Sequence, residues 1–256
     1  LDWVLQLILA KQPLDRRELA QLAAGGLLME IASRPMPRAL VTRQLTPNRM
    51  AGILLAAGSS QRMGAANKLL QPINGKAMIR HVAEALVTGL NSKTDASEIV
   101  VVLGHEADKV AAALADLPVR MVFNPDHASG QGSSVATGAG ALGADVTDGL
   151  ICLGDMPLLD PSIFTMLADA HLDRSDHKRL ITLPVFEGKR GNPVIWGQAF
   201  FADLSSLAGD AGGRQLLDDH QAAQNLVPCD SPAIIRDVDT AEALLEITKA
   251  LSGTNH

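Results

Sequence analysis

An apolar run ends at Leu55-Ala56-Ala57-Gly58-Ser59-Ser60, and two basic residues, Arg62 and Lys68, follow before leucines resume at Leu69-Leu70. The backbone N–H groups of Ala57 to Ser60 can turn toward one point and form an anion-binding nest, with Gly58 permitting the tight turn. Arg62 and Lys68 place side-chain charge beside it. That combination suits a polyphosphate, although a glycine turn with two solvated cations is the simpler alternative. The run lacks the G-x-x-x-x-G-K-[ST] spacing and is not a P-loop. Farther on, Cys152-Leu153-Gly154-Asp155-Met156-Pro157 puts a carboxylate just after a second apolar run. A carboxylate there can hold a hard cation in oxygen coordination, or serve only as a turn former. Phosphoryl chemistry is accelerated mainly by aligning anions and neutralising charge, and these residue types supply both.

The elements that must carry these residues alternate along the chain. Short β-rich runs at Gly52–Ala56, Ile99–Leu103, Val119–Phe123, Leu150–Leu153 and Ile181–Val185 predict buried strands. Between them lie helical spacings: Met78, Ile79, Val82, Leu86 and Val87; Ala107, Val110 and Leu114; and Ile163, Met166 and Leu167 after Asp160-Pro161, a good helix start. Ala233–Arg236 reads as another strand, and Ala241–Leu251 as a last helix capped by Asp239 or Thr240. The alternation predicts an α/β fold with a mostly parallel twisted sheet. In such sheets ligands bind beyond the carboxyl ends of the strands, where the Gly58 loop and Asp155 both fall.

Composition narrows the function classes. The chain has 256 residues, 47% of them hydrophobic and 20% charged, which is enough for one large domain and something small. A net charge of −6 argues against duplex nucleic acid or an anionic membrane as partner. No apolar run approaches the roughly 18 residues of a membrane span. Tyrosine is absent and aromatics are 3%, so stacked-base recognition of single strands is disfavoured. Cys152 and Cys229 match no C-x-x-C or zinc spacing, and a reducing, cytoplasmic setting is expected. Gly138-Ala139-Gly140-Ala141-Leu142-Gly143 satisfies G-x-G-x-x-G but follows no strand, so it reads as a small-residue helix. None of the seven histidines forms H-E-x-x-H or pairs with a nucleophile at a known spacing.

The stretch Leu54 to Leu70 resembles the signature L-A-A-G-x-S-x-R-M-G-x-x-K of the nucleotidyltransferases that act on the molybdenum cofactor, and within them the cytidylyltransferase branch. The resemblance runs from about Met50 to the end. It implies a three-layer Rossmann-like fold, with CTP bound by Leu55, Ala56, Ala57, Gly58, Ser59, Ser60, Arg62 and Lys68. Arg62, Lys68 and Asp155 become the catalytic residues. The same likeness makes Asp155 in Gly-Asp-Met-Pro a magnesium ligand and puts the second at Asp239, with Asp237 as the other choice. Ser129-Gly130-Gln131-Gly132-Ser133-Ser134 resembles the family's base loop, so Gly130 and Ser134 are expected at the pyrimidine. Asn192 stands where the family has histidine in a G-H-P segment, and Arg214 closes a G-D-x-G-x-R match; both are expected at the acceptor.

The implied reaction joins CMP to the terminal phosphate of molybdopterin carrying molybdenum, and a molybdenum enzyme would receive the product. It needs no general base, because a phosphate monoester with a second pKa near roughly 6 is already largely a dianion at neutral pH. A guanylyltransferase is the nearest rival, since that branch has glycine where Ala57 stands. A non-catalytic carrier of the cofactor is a rival from another class. Residues 1–49 read as a helical extension and a linker marked by Pro35, Pro37 and Pro47, ahead of a transferase domain over 50–256. Asp2-Trp3-Val4-Leu5 and Gly25-Gly26-Leu27-Leu28-Met29-Glu30-Ile31 resemble the tail of a molybdopterin-binding domain, which implies a longer, two-activity protein.

Overall fold

Every residue of strand β1, Met50–Ala56, is buried, as a central strand covered on both faces requires. The computed structural model describes residues 49–59, 67–91, 98–209 and 213–253. β1 pairs in parallel with β4 (Glu98–Leu103) on one side and β6 (Asp148–Leu153) on the other. β5 (Arg120–Phe123) continues the parallel set beyond β4. On the other flank β9 (Val194–Gly197) is antiparallel to both β6 and β7 (Ile181–Phe186), and β10 (Gln224–Pro228) runs parallel to β7. The order across the sheet is β10-β7-β9-β6-β1-β4-β5, with β8 (Lys189–Arg190) hairpinned onto β7. A small hairpin of β2 (Pro72–Ile73) and β3 (Lys76–Ala77) stands apart.

Helices cover both faces. Side chains alternate across β1, so Leu54 and Ala56 join one core while Ile53 and Leu55 join the other. The first core is closed by α1 (Met78–Asn91) and α4 (Pro161–Leu172), which contribute Val82, Leu86 and Phe164. α2 (Ala107–Ala113) adds Val110 to it. Beneath the other face lie α3 (Gln131–Gly140) and α5 (Phe201–Ser205), whose Val135 and Leu204 meet Trp196 of β9. Two further helices, α6 (Gly213–Asp219) and α7 (Ala241–Gly253), follow. The expected three-layer α/β architecture with a mostly parallel sheet is therefore the one found.

One expected element is corrected. Ala233–Arg236 is not a strand: Pro232–Ile235 forms a 3₁₀ turn, with the Ser231 side chain accepting from Ala233 N and Pro232 leading the turn. The Ser-Pro start signal outweighs the two isoleucines, because the Ser231 side chain satisfies the Ala233 N–H and the Pro232 ring presets the turn. β9 and β10 have no counterpart among the expected strands. The Gly138–Gly143 motif falls on the end of α3, as its lack of a preceding strand suggested. Of the extension read over residues 1–49, the first 48 lie outside the described residues.

A polar hub is buried at the opening end of β6. Asp148 is fully buried, and its Oδ1 lies 2.9 Å from both His171 Nε2 and His177 Nδ1, while Thr147 Oγ1 donates to Oδ2 at 2.7 Å. Asn225 Nδ2 donates to Thr182 Oγ1, which leaves that hydroxyl free to donate to His171 Nδ1 at 2.7 Å. The tautomers follow from this network: both rings present an N–H to Asp148. Burial alone would raise the Asp148 carboxyl, but these donors hold it below its ordinary value. α4, β6 and β7 are tied together at this point.

Candidate active site

The carboxyl ends of β1, β4 and β6 meet around one cavity of about 700 Å³. Its rim begins where β1 ends. Gly154 N donates to Leu55 O at 3.0 Å and His105 N donates to Ala57 O at 3.1 Å, so the loops after β6 and β4 are stitched to the loop after β1. Two glycines make that approach possible. A Cβ at Gly104 would stand 2.6 Å from Ala57 O and from the His127 side chain, and one at Gly154 would stand 2.8 Å from Leu55 O. Ala57, Gly58, Ser59, Lys68, Gly130, Ser134 and Asp155 all line the cavity. Ala57 is buried, whereas Gly58 and Ser59 are exposed to it.

Lys68 lies deepest in charge. Its Nζ is 2.7 Å from Asp155 Oδ2 and 2.8 Å from Asp239 Oδ1, with 14% of the side chain exposed. Burial by itself would lower the Lys68 ammonium, yet the two carboxylates more than offset it and the group is raised above its usual value. The backbone below it is fixed by Asn67, a buried residue whose Oδ1 accepts from Leu69 N at 3.1 Å and caps the short 3₁₀ turn Lys68–Leu70. Val238 N donates to Asp155 O at 2.9 Å, and Val238 is wholly buried, so the segment Asp237-Val238-Asp239 is pinned beside Asp155. One carboxylate oxygen each from Asp155, Asp237 and Asp239 lie within 4.8 Å of one another. Burial, then repulsion from Asp239 and Asp155, pushes the Asp237 carboxyl up.

This donor set suits a hard divalent cation. It is all oxygen, it is acidic, and Asp155 Oδ1 is buried with no hydrogen-bond partner of its own. A lone unpaired carboxylate oxygen is costly in a protein interior unless a cation or donor meets it.

A second cavity, about 250 Å³, adjoins the first and shares Leu55, Gln131 and Leu153 with it. Asn192 and Arg214 line it, together with Arg190 and the apolar faces of Val135, Val194 and Trp196. Asn192 is placed by its own N–H, which donates to Ile234 O at 2.8 Å, and Arg190 pairs with Asp218 at 2.7 Å. Of the residues expected at the site, Leu55, Ala57, Gly58, Ser59, Lys68, Gly130, Ser134 and Asp155 gather at the large cavity, Asp239 meets Lys68, and Asn192 and Arg214 gather next door. Ala56 does not reach either cavity; its side chain packs into the core closed by α1 and α4. Ser60 and Arg62 lie outside the described residues.

Several lining residues were not anticipated. His105 and His127 both face the large cavity. His127 Nδ1 donates to Asn124 O at 3.1 Å, and Asn124, fully enclosed, donates from Nδ2 to Ser133 and Ser134 Oγ at 2.9 and 3.0 Å. Asn124 and Asn67 therefore orient the two halves of the cavity wall. Neither carries a motif; the only signal was their position just after a strand and just before Lys68.

Comparison with known proteins gives the family and the fold. A family model described as the MobA-like NTP transferase domain matches residues 52–226. The chain is 31% identical over 201 residues to the nicotine blue oxidoreductase of Paenarthrobacter nicotinovorans, covering 77% of this chain and 95% of that protein. It is 36% identical over 130 residues to the bifunctional protein GlmU of Leifsonia xyli subsp. xyli, covering 50% of this chain but only 26% of that longer protein. Among solved structures, a nucleotidyl transferase from Methanothermobacter thermautotroptrophicus superposes with a TM-score of 0.68 at 23% identity, covering 81% of this chain and 100% of the other. Rv0371c of Mycobacterium tuberculosis H37Rv, in complex with manganese, superposes with a TM-score of 0.65 at 21% identity over 79% and 100% of the two chains. The match over residues 52–226 spans the sheet and the cavity at its carboxyl edge, and the chain belongs to the MobA-like NTP transferase family.

Proposed function

We propose that this chain transfers CMP from CTP to the terminal phosphate of molybdenum-bearing molybdopterin, releasing pyrophosphate. The observation that carries the reading is the pair of cavities with a common wall. The larger is edged by the Ala57–Ser59 backbone and Lys68, as a triphosphate needs; the smaller joins Arg190, Arg214 and Asn192 to the apolar faces of Trp196 and Val194, as a flat acceptor ending in a phosphate needs. Donor and acceptor would meet at Leu55, Gln131 and Leu153.

In the transfer, an oxygen of the acceptor phosphate attacks the α-phosphorus of CTP. A new phosphorus–oxygen bond forms, the bond to the β-phosphate oxygen breaks, and pyrophosphate leaves with the electron pair. The N–H groups of Gly58 and Ser59 hold phosphate oxygens in line, and Arg62 and Lys68 meet the charge that grows on the leaving group. A divalent cation, magnesium in this reading, held by Asp155 and Asp239 with Asp237 beside them, would add charge neutralisation there when bound. The Ala57 methyl and Ser134 narrow the base subsite toward a pyrimidine.

The test is to incubate the protein with each labelled nucleoside triphosphate, magnesium and molybdopterin, and to measure pyrophosphate and the labelled dinucleotide. CTP should lead in kcat/KM. Better use of GTP transfers the assignment to the guanylyl branch, and binding of the acceptor without turnover makes the protein a carrier. A second reading is favoured by the 31% identity to the nicotine blue oxidoreductase along 95% of its length. Redox turnover of nicotine blue, and no pyrophosphate with any triphosphate, would establish that reading instead.

A further inference from the structure

The carboxylates assigned to a cation are held by a cation already, and that cation is a side chain. Lys68 Nζ touches Asp155 Oδ2 and Asp239 Oδ1 at 2.7 and 2.8 Å. We propose that Lys68 is a placeholder: its ammonium closes the Asp155–Asp239 pair in the resting protein, and a divalent ion gains those oxygens when an incoming triphosphate offers Lys68 another anionic partner, so that metal and nucleotide load together. The inference rests on the reading of this site as one for a triphosphate and a divalent cation.

Three features carry it. An ammonium within hydrogen-bond distance of both carboxylates repels any second cation that seeks the same oxygens, and at 14% side-chain exposure water screens that repulsion only in part. The lysine also has reach. Asn67 fixes its backbone through the capped turn, and its flexible four-carbon stem spans to the Gly58–Ser59 edge of the same cavity, which both line. Finally, the group is more acidic than its Lys68 contacts alone require. Asp155, Asp237 and Asp239 bring three carboxylates together, and Asp155 Oδ1 stays unpartnered, so the site retains attraction for a doubly charged ion once Lys68 turns away.

The test measures binding of manganese ion to the full chain without nucleotide, by the electron paramagnetic resonance of free Mn²⁺. Lys68→Gln should bind Mn²⁺ about tenfold more tightly than the unaltered protein or more, and Lys68→Arg, which keeps the charge, should stay near the unaltered value. Lys76→Gln, an exposed lysine paired with Glu84, should change nothing. Adding the α,β-methylene analogue of CTP should tighten Mn²⁺ binding to the unaltered protein by more than it does for Lys68→Gln. Equal or weaker Mn²⁺ binding by Lys68→Gln overturns the proposal. If that variant unfolds alone, native melting restored by millimolar Mn²⁺ supports it and failure to recover refutes it. The nucleotide-free titration involves neither CTP nor acceptor, so a wrong donor assignment shows in the transfer assay and leaves this result standing.

Discussion

Asp155 is the residue on which the proposed chemistry depends most, since it touches Lys68, presents an unpaired oxygen and accepts a backbone bond from Val238. Asp155→Asn keeps the shape and removes the charge. Its kcat should fall by about 10²–10³-fold, the range for deleting one preorganised electrostatic contact, while circular dichroism stays native. Near-normal turnover in the folded variant removes the cation from the mechanism. The histidines test the other half of the argument. His105 and His127 line the cavity but have no proton to move if the acceptor phosphate is already ionised. Substituting either by asparagine should shift KM for the nucleotide, whereas kcat should still rise with the acceptor's second ionisation near pH ~6 and then level off. Loss of that profile in one variant would identify a general base. Lys68 was legible as a basic residue beside a glycine loop, but its pairing with Asp239 was not, because no local pattern links residues so far apart in the chain.

At the scale of elements, the short turn carrying Lys68 shows how positioning and stability separate. Asn67→Ala removes the side-chain cap on Leu69 N, which should cost about 1 kcal/mol in denaturant unfolding. If Asn67 also aims Lys68, kcat should fall by more than that loss of stability explains. An unchanged kcat beside the expected loss would make Asn67 structural only. Strands β1, β4, β6 and β7 were readable because each is a nearly continuous apolar run, whereas β10, Gln-Asn-Leu-Val-Pro, is not. β9 was not: it is four residues long, ends on Gly197, and follows a Gly-Asn-Pro stretch that reads as loop. Its assignment depends on β6 and β7, which pair with it on both sides. The Pro232–Ile235 turn misread as a strand has the same cause in reverse, as isoleucines suggest a pairing that no strand makes with this segment among the described residues.

Across the whole molecule, the site at one end of the sheet is balanced by the Asp148 hub at the other. Its carboxyl is held below the unfolded value of about 3.9 by donors from His171, His177 and Thr147. A depressed carboxyl stabilises fully above its unfolded pKa, and that stability is lost as the pH falls through the folded one. Melting temperature should therefore drop as pH is lowered below about 4, and Asp148→Asn should flatten this slope while costing about 3 kcal/mol at neutral pH, since two buried rings lose a charged acceptor. An identical acid slope in both proteins would exclude the hub as its source. Nothing in the sequence announced it, because Asp148, His171 and His177 fit no spacing and meet only when β6, α4 and the following turn pack.

The hydrogen bond from Val238 N to Asp155 O also orders events in time. A ribosome makes Asp155 long before Asp237 and Asp239, and by then every parallel strand up to β6 has been synthesised. The sheet can assemble around β1 while the nascent chain still lacks two of its three clustered carboxylates. The site is therefore completed late in translation: a product broken off before Asp237 keeps the glycine loop, Lys68 and Asp155 but lacks Asp237 and Asp239. On the proposed reading, such a fragment would bind a triphosphate but lack the carboxylates that complete the cation site.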